Sequence, residues 1–275
     1  MYACGNELDY YTNHHTGIGT FCHEFSHVLG LPDLYTTGEE THKTLGEWSI
    51  LDYGPYNNDG NTPPTYSAYE RFFMGWLTPE LIVDSANIVL EKLNNSQHAL
   101  LISETDQHNL IGNDPNPTNF YLLENRQKEG WDEYLPGHGL MITHVQYNDN
   151  SWLQNTVNNS SNRMGVDLIE ADGKEPDYDS NGYSGKPGDL FPAGAKQYME
   201  IDNHEIEEIK EDNGIITFKY KGGVIDTAIE DIASNEEIIA IYNVLGQKLT
   251  THRIEDLTHG TYIVKTATGT KKIAL

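Results

Sequence analysis

Along the first thirty positions apolar residues recur at three- and four-residue spacing. Ile18, Phe21, Cys22, Phe25, Val28 and Leu29 fall on one face of a helix drawn over 17–29. Gly30 suits the left-handed residue that ends a helix, and Pro32 prevents the helix from resuming. Before that helix, 2–8 predict one short strand and then a polar loop carrying His14 and His15. The stretch 34–66 is rich in turn formers, with Asn57-Asn58-Asp59-Gly60-Asn61 and Pro63-Pro64, and 65–77 predict a second helix. Beyond Pro79 the pattern changes to strands at 88–90, 99–102, 120–123, 140–147, 166–171 and 215–220, separated by Gly, Asn and Pro. Residues 223–237 read as a linker, and 238–243, 248–251, 262–267 and 272–274 as strands of a last, small β-domain. The expected class is α+β.

Composition narrows the partners. The 275 residues carry 17 basic and 42 acidic side chains, a formal charge of −25. That balance argues against binding to nucleic acid or an anionic membrane, which calls for a basic patch. No apolar run approaches the roughly 20 residues that cross a bilayer. Met1-Tyr2-Ala3-Cys4 has neither the basic start nor the apolar centre of a secretory signal, so a signal is expected upstream. Cys4 and Cys22 are enough for one disulfide but not for a disulfide framework. Cys22 lies about 100° round the helix from His23, and it reads as a buried thiol.

The chemistry is concentrated in His23-Glu24-Phe25-Ser26-His27-Val28-Leu29-Gly30-Leu31-Pro32-Asp33. Residues four apart lie one above the other on a helix, so His23 and His27 can offer two imidazoles to one ion. Glu24 is then placed to reach a water on that ion, the H-E-x-x-H arrangement of zinc hydrolases. The turn at Gly30 can return Asp33 as a third ligand, and Glu70 on the second helix is the rival for that place. Three protein ligands leave one position of tetrahedral zinc open, as a catalytic site requires. A second ion is suggested by Asp177-Tyr178-Asp179-Ser180-Asn181-Gly182, which fits the opening of a calcium loop with ligands Asp177, Asp179 and Asn181. Gly188 stands where an EF-hand would place its glutamate, so this would be a different kind of Ca2+ site, with Asp172 or Asp189 as further ligands, or else a solvated acidic loop.

The pattern H-E-x-x-H-x-x-G-x-x-D resembles the metzincin zinc signature with Asp in place of the third His. Together with Gly17-Ile18-Gly19-Thr20-Phe21 and Leu31-Pro32-Asp33-Leu34-Tyr35, it resembles the immune-inhibitor-A family of secreted bacterial metallopeptidases. That resemblance implies a metzincin-like catalytic region, N-terminally incomplete because only 22 residues precede His23. It also implies Zn2+ held by His23, His27 and Asp33, with protein or peptide substrates. It places a methionine-bearing turn at 46–54, where this chain has Leu51, a swap of similar volume. Tyr53 corresponds to a tyrosine that steadies the oxyanion in some metzincins, the alternative being a Tyr packed in the loop. Leu123-Glu124-Asn125-Arg126 and Pro136-Gly137-His138-Gly139-Leu140 resemble the same family, with His138 and His144 read as structural.

The tail, with Tyr242-Asn243-Val244-Leu245-Gly246-Gln247-Lys248 and Gly260-Thr261-Tyr262-Ile263-Val264, is similar to the C-terminal sorting domains of Bacteroidetes type IX secretion, which are small β-sandwiches read by the export machinery. The expected order is a catalytic region at 1–80, a β-rich domain at 81–222, a linker at 223–237 and the sorting-like domain at 238–275. The whole would be a secreted or cell-surface zinc endopeptidase. The alternatives are a non-catalytic surface or binding module with a remnant metal site, and a metal hydrolase acting on other bonds.

Overall fold

The structure, a computed structural model, describes residues 3–8, 14–39, 42–173, 178–179, 182–183, 185–192, 198–201, 204–223, 238–243, 246–257, 261–266 and 270–274. Two compact units divide the chain, Met1–Gly223 and Val224–Leu275.

In the first unit, helix α1 spans Gly19–Leu29 and ends on Gly30 at φ 105°, where a side chain would be strained. Its start explains the paired glycines. A Cβ on Gly19 would lie 1.8 Å from the Pro55 carbonyl oxygen, and one on Gly17 would lie 2.0 Å from that of Gly60. Backbone therefore meets backbone, and Gly19 N–H donates to Gly60 O at 2.9 Å. The face of α1 that this contact buries holds Gly19, His23 and Ser26. The apolar stripe expected to be core-facing is instead partly open, with Ile18, Phe21 and Phe25 each between 44% and 50% exposed. Helix α2, Ala68–Phe73, is shorter than expected because the chain turns left-handed at Gly75, φ 69°. Its start is a capping box between Ser67 and Glu70.

Strands β1 (Glu80–Leu81), β2 (Ala86–Leu90), β3 (Leu100–Ser103), β4 (Asn119–Arg126), β5 (Gly139–Gln146) and β6 (Val166–Leu168) are followed by the short pair β7 (Tyr178–Asp179) and β8 (Gly182–Tyr183), then β9 (Tyr198–Ile201), β10 (His204–Asp212) and β11 (Ile215–Tyr220). One sheet has the order β1-β3-β4-β5-β6, parallel only between β1 and β3, and a second has β2-β11-β10-β9. Strand β4 shows how they stack. Phe120 and Leu122 point into a core shared with Leu31, Leu34, Trp48 and Leu51, whereas Tyr121 and Leu123 point into a core shared with Leu90, Ile216 and Phe218. Alternation along one strand thus buries both of its faces. The zinc-signature region covers one face of the five-stranded sheet and the four-stranded sheet covers the other.

Strand β10 was not legible in the sequence. Its buried residues, Ile206 and Ile209, are three apart because the register shifts between Glu207 and Lys210, with Glu208 at φ 51°. The strand expected over 2–8 does not form in residues 3–8, which make only an isolated bridge from Leu8 to His15, while Tyr2 lies outside the described residues. Cys4 and Cys22 are free thiols.

In the second unit, β12 (Ile238–Asn243), β13 (Thr261–Thr266) and β14 (Thr270–Ala274) form an antiparallel three-stranded sheet around Ile241, Val264 and Ile273. Of the strand expected at 248–251, only Lys248 pairs, in a bridge to Tyr242. The described residues of this unit make one sheet rather than two facing sheets.

Candidate metal centre

Helix α1 stacks His23 and His27 one turn apart, and the Gly30 turn delivers Asp33 to the same point. The turn is fixed by Gly30 N–H donating to His27 O at 3.0 Å, Leu31 N–H to Ser26 O at 3.1 Å and Leu34 N–H to Leu51 O at 2.8 Å. The three donor atoms form a nearly equilateral triangle. His23 Nε2 and His27 Nε2 are 3.1 Å apart, and Asp33 Oδ1 lies 3.1 and 3.2 Å from them. Tetrahedral zinc with bonds of about 2.0–2.1 Å needs ligand separations of about 3.3 Å.

Protons make this triangle informative. His23 Nδ1 is 2.8 Å from Ile50 O and His27 Nδ1 is 2.8 Å from Leu31 O. A carbonyl can only accept, so each Nδ1 carries a hydrogen, and each Nε2 is left to present a lone pair to the shared point once its ring is neutral. Asp33 Oδ1 is buried and receives no hydrogen bond. Two nitrogen lone pairs and a carboxylate oxygen therefore converge in a place that only a proton or a cation can relieve, and the donor set fits a metal ion. Titration answers the same arrangement. Burial pushes the Asp33 carboxyl up, but His23, His27 and Asn155 together outweigh it and hold it below the usual carboxylate range. The Asp33 carboxylate in turn raises His27 above its ordinary value, against its desolvation.

Beside the triangle is a cavity of about 320 Å³ lined by Thr20, His23, Glu24, Tyr35, Asp52, Tyr53, Pro55 and Tyr56. Glu24 and Tyr53, the residues expected to act on substrate, thus share one space with a candidate ligand. Sequence reasoning missed Tyr35 there. Its ring stacks near His23 at 6.2 Å between centroids, and burial, with the Asp33 carboxylate nearby, pushes its hydroxyl up to about 12. It also missed Asp52, whose carboxyl is buried among the loop's own N–H groups and rises to about 7 through desolvation. Asp52 Oδ2 accepts from Gly46 N–H at 2.8 Å, which closes the turn beneath His23. Leu51 is fully buried in that turn.

The rival ligand Glu70 is spent elsewhere. It is fully buried, accepts from Ser49 Oγ at 2.6 Å and caps α2 through Ser67. The Glu124–Arg126 segment has a similar structural task. Glu124 Oε2 accepts from Ala68 N–H at 2.8 Å, Asn125 Nδ2 donates to Leu90 O and Gly214 O, and Arg126 pairs with Asp132 at 2.9 Å, so β4 holds the start of α2 in place. His138 pairs with Glu211 at 2.8 Å and His144 with Asn119 at 2.7 Å. His14 and His15 are exposed. Of the calcium candidates, Asp177 and Asn181 lie outside the described residues, and Asp179 is described only as backbone of β7. Asp189 is buried and accepts from Trp48 Nε1 at 3.0 Å and Lys186 N–H at 2.7 Å.

Residues 7–77 match the immune inhibitor A peptidase M6 catalytic domain. The M6 match contains α1, the Asp33 turn, the loop carrying Tyr53 and all of α2. A protein of Arthroderma benhamiae named as a secreted metallopeptidase is 23% identical over 264 residues, covering 76% of this chain and 38% of that protein. The chain thus spans well under half the length of the curated relative it matches. Both are similarities to metallopeptidases. No helix among the described residues is long and apolar enough to cross a membrane.

Proposed function

We propose that the chain is the zinc-binding part of a secreted metalloendopeptidase with a metzincin-like catalytic region, in which His23, His27 and Asp33 hold Zn2+. The observation that carries this reading is the convergence of two imidazole Nε2 atoms and one carboxylate oxygen, 3.1–3.2 Å from one another, at the end of an H-E-x-x-H helix. The M6 match over the same residues supports it.

When bound, zinc supplies Lewis acidity that makes water a nucleophile at neutral pH and polarises a scissile carbonyl. The chain's own residues do the rest. Ile50 O and Leu31 O hold the two imidazoles in the tautomer that binds through Nε2. Glu24, half-buried at the cavity wall, takes the proton of the attacking water and returns it to the leaving amine. Tyr53, on the wall of the same cavity, offers a phenol O–H to the developing oxyanion. Export through the sorting-like tail of the second unit, in the manner of type IX secretion in Bacteroidetes, and protein substrates outside the cell complete the proposal.

The test is Glu24→Gln assayed on casein alongside a metal determination. Zinc content is expected to stay at the wild-type level while cleavage falls by orders of magnitude. Wild-type cleavage by that variant would contradict the mechanism.

A further inference from the structure

We infer that Asn155 is a positioning residue for the metal group, its amide deciding which oxygen of Asp33 faces the two imidazoles; the inference rests on the zinc reading above. The orientation of the amide follows from its partners. Asp33 N–H can only donate, and it donates to Asn155 Oδ1 at 2.7 Å. That leaves Asn155 Nδ2 to donate to Asp33 Oδ2 at 2.6 Å. With Oδ2 held in this way, Oδ1 is turned to His23 and His27 and receives no hydrogen bond of its own. The terminal torsion of an aspartate is broad and nearly two-fold. A single clamp on one oxygen removes that freedom before an ion arrives, and presents one oxygen rather than two.

The clamp is itself built. Asn155 sits at φ 55°, a conformation Asn tolerates better than most residues, just beyond the short helix Asp149–Leu153. Its carbonyl accepts from Thr37 Oγ1 at 2.7 Å, Asn159 Oδ1 accepts from Thr37 N–H at 2.7 Å, and Asn158 Nδ2 donates to Leu34 O at 2.8 Å. Residues 155–159 therefore brace residues 33–37. The carboxylate is aimed by an amide 122 positions downstream, outside the stretch that matches the M6 domain.

Variants of the full chain separate aiming from bracing. Asn155→Asp keeps the shape and the acceptor for Asp33 N–H but sets a carboxylate oxygen against Oδ2. Asn155→Gly keeps the positive φ without strain and removes the amide. Thr37→Val removes the side-chain bond of the brace, Oγ1 to Asn155 O, without touching Asp33. Zinc affinity is read by competition with a chromophoric chelator, ligand geometry by the visible absorption of the Co2+-loaded chain, and folding by melting of the metal-free chain. Both Asn155 variants are expected to bind zinc about 10–100-fold more weakly and to change the cobalt spectrum, whereas Thr37→Val binds as wild type. Wild-type affinity in both Asn155 variants would overturn the inference while leaving the zinc site standing. So would an equal loss in Thr37→Val, or failure of both Asn155 variants to fold, since either result makes the residue a brace. A folded wild-type chain that binds no zinc would overturn the zinc reading itself.

Discussion

Backbone carbonyls of Ile50 and Leu31 determine where the hydrogens of His23 and His27 sit, and this decides what the cluster can bind. The pH dependence follows with its sign. His27 is raised, chiefly by Asp33, so its contribution to the metal-free fold is complete below about pH 6.5 and is lost as pH rises through its folded value. Asp33 is lowered, so its contribution is complete above about pH 3.9 and is lost as pH falls through its folded value. The metal-free pair therefore stabilises the first unit most between about pH 4 and 6.5. Metal must displace the His27 proton, so zinc affinity rises with pH through and beyond that window. Melting curves with and without chelator across pH 4–9 check both slopes, and flat profiles would contradict the coupling. At this scale the convergence of His23, His27 and Asp33 was legible because helical period and a Gly–Pro turn are local. Tyr35 and Asn155 were not, since ring stacking on His23 and a clamp across 122 positions leave no local pattern.

At the scale of elements, the position of α1 depends on glycines that let two backbones touch. Gly19→Ala would drive a Cβ to within 1.8 Å of the Pro55 carbonyl. It is expected to cost at least the roughly 1–3 kcal/mol of overpacking, read as a lower denaturant midpoint, and to weaken zinc binding because His23 moves with the helix. Leu51→Met in the turn beneath the histidines should cost less than about 1.5 kcal/mol by the same measurement. Glu70 illustrates why carboxylates are poorly read from sequence. Its helix position suited a ligand, yet capping of α2 and Ser49 consume both oxygens. Strand β10 was hidden for a different reason, since its bulge sets the two buried isoleucines out of the two-residue period. The apolar stripe of α1 was read correctly as a stripe, but its burial was not, because the histidine face is the one held against the loop at 54–60.

For the molecule as a whole, β4 joins the region at 17–77 to the strand-rich region by filling a core on each of its two faces, so the first unit is expected to unfold as one. Arg126, fully buried and paired with Asp132, sits at that junction. Arg126→Leu leaves buried carboxylates without their partner and should cost about 3–5 kcal/mol of unfolding free energy. Zinc at a hundred times its dissociation constant should add about 2.7 kcal/mol to the first unit by linkage. The most direct measurement is a zinc titration of the purified chain beside its Asp33→Ala, His27→Ala and Glu24→Gln variants. One tight zinc per chain is expected in wild type and in Glu24→Gln, and its loss in the other two. Tight binding that survives Asp33→Ala and His27→Ala, or a folded wild-type chain with no tight zinc, would contradict the account.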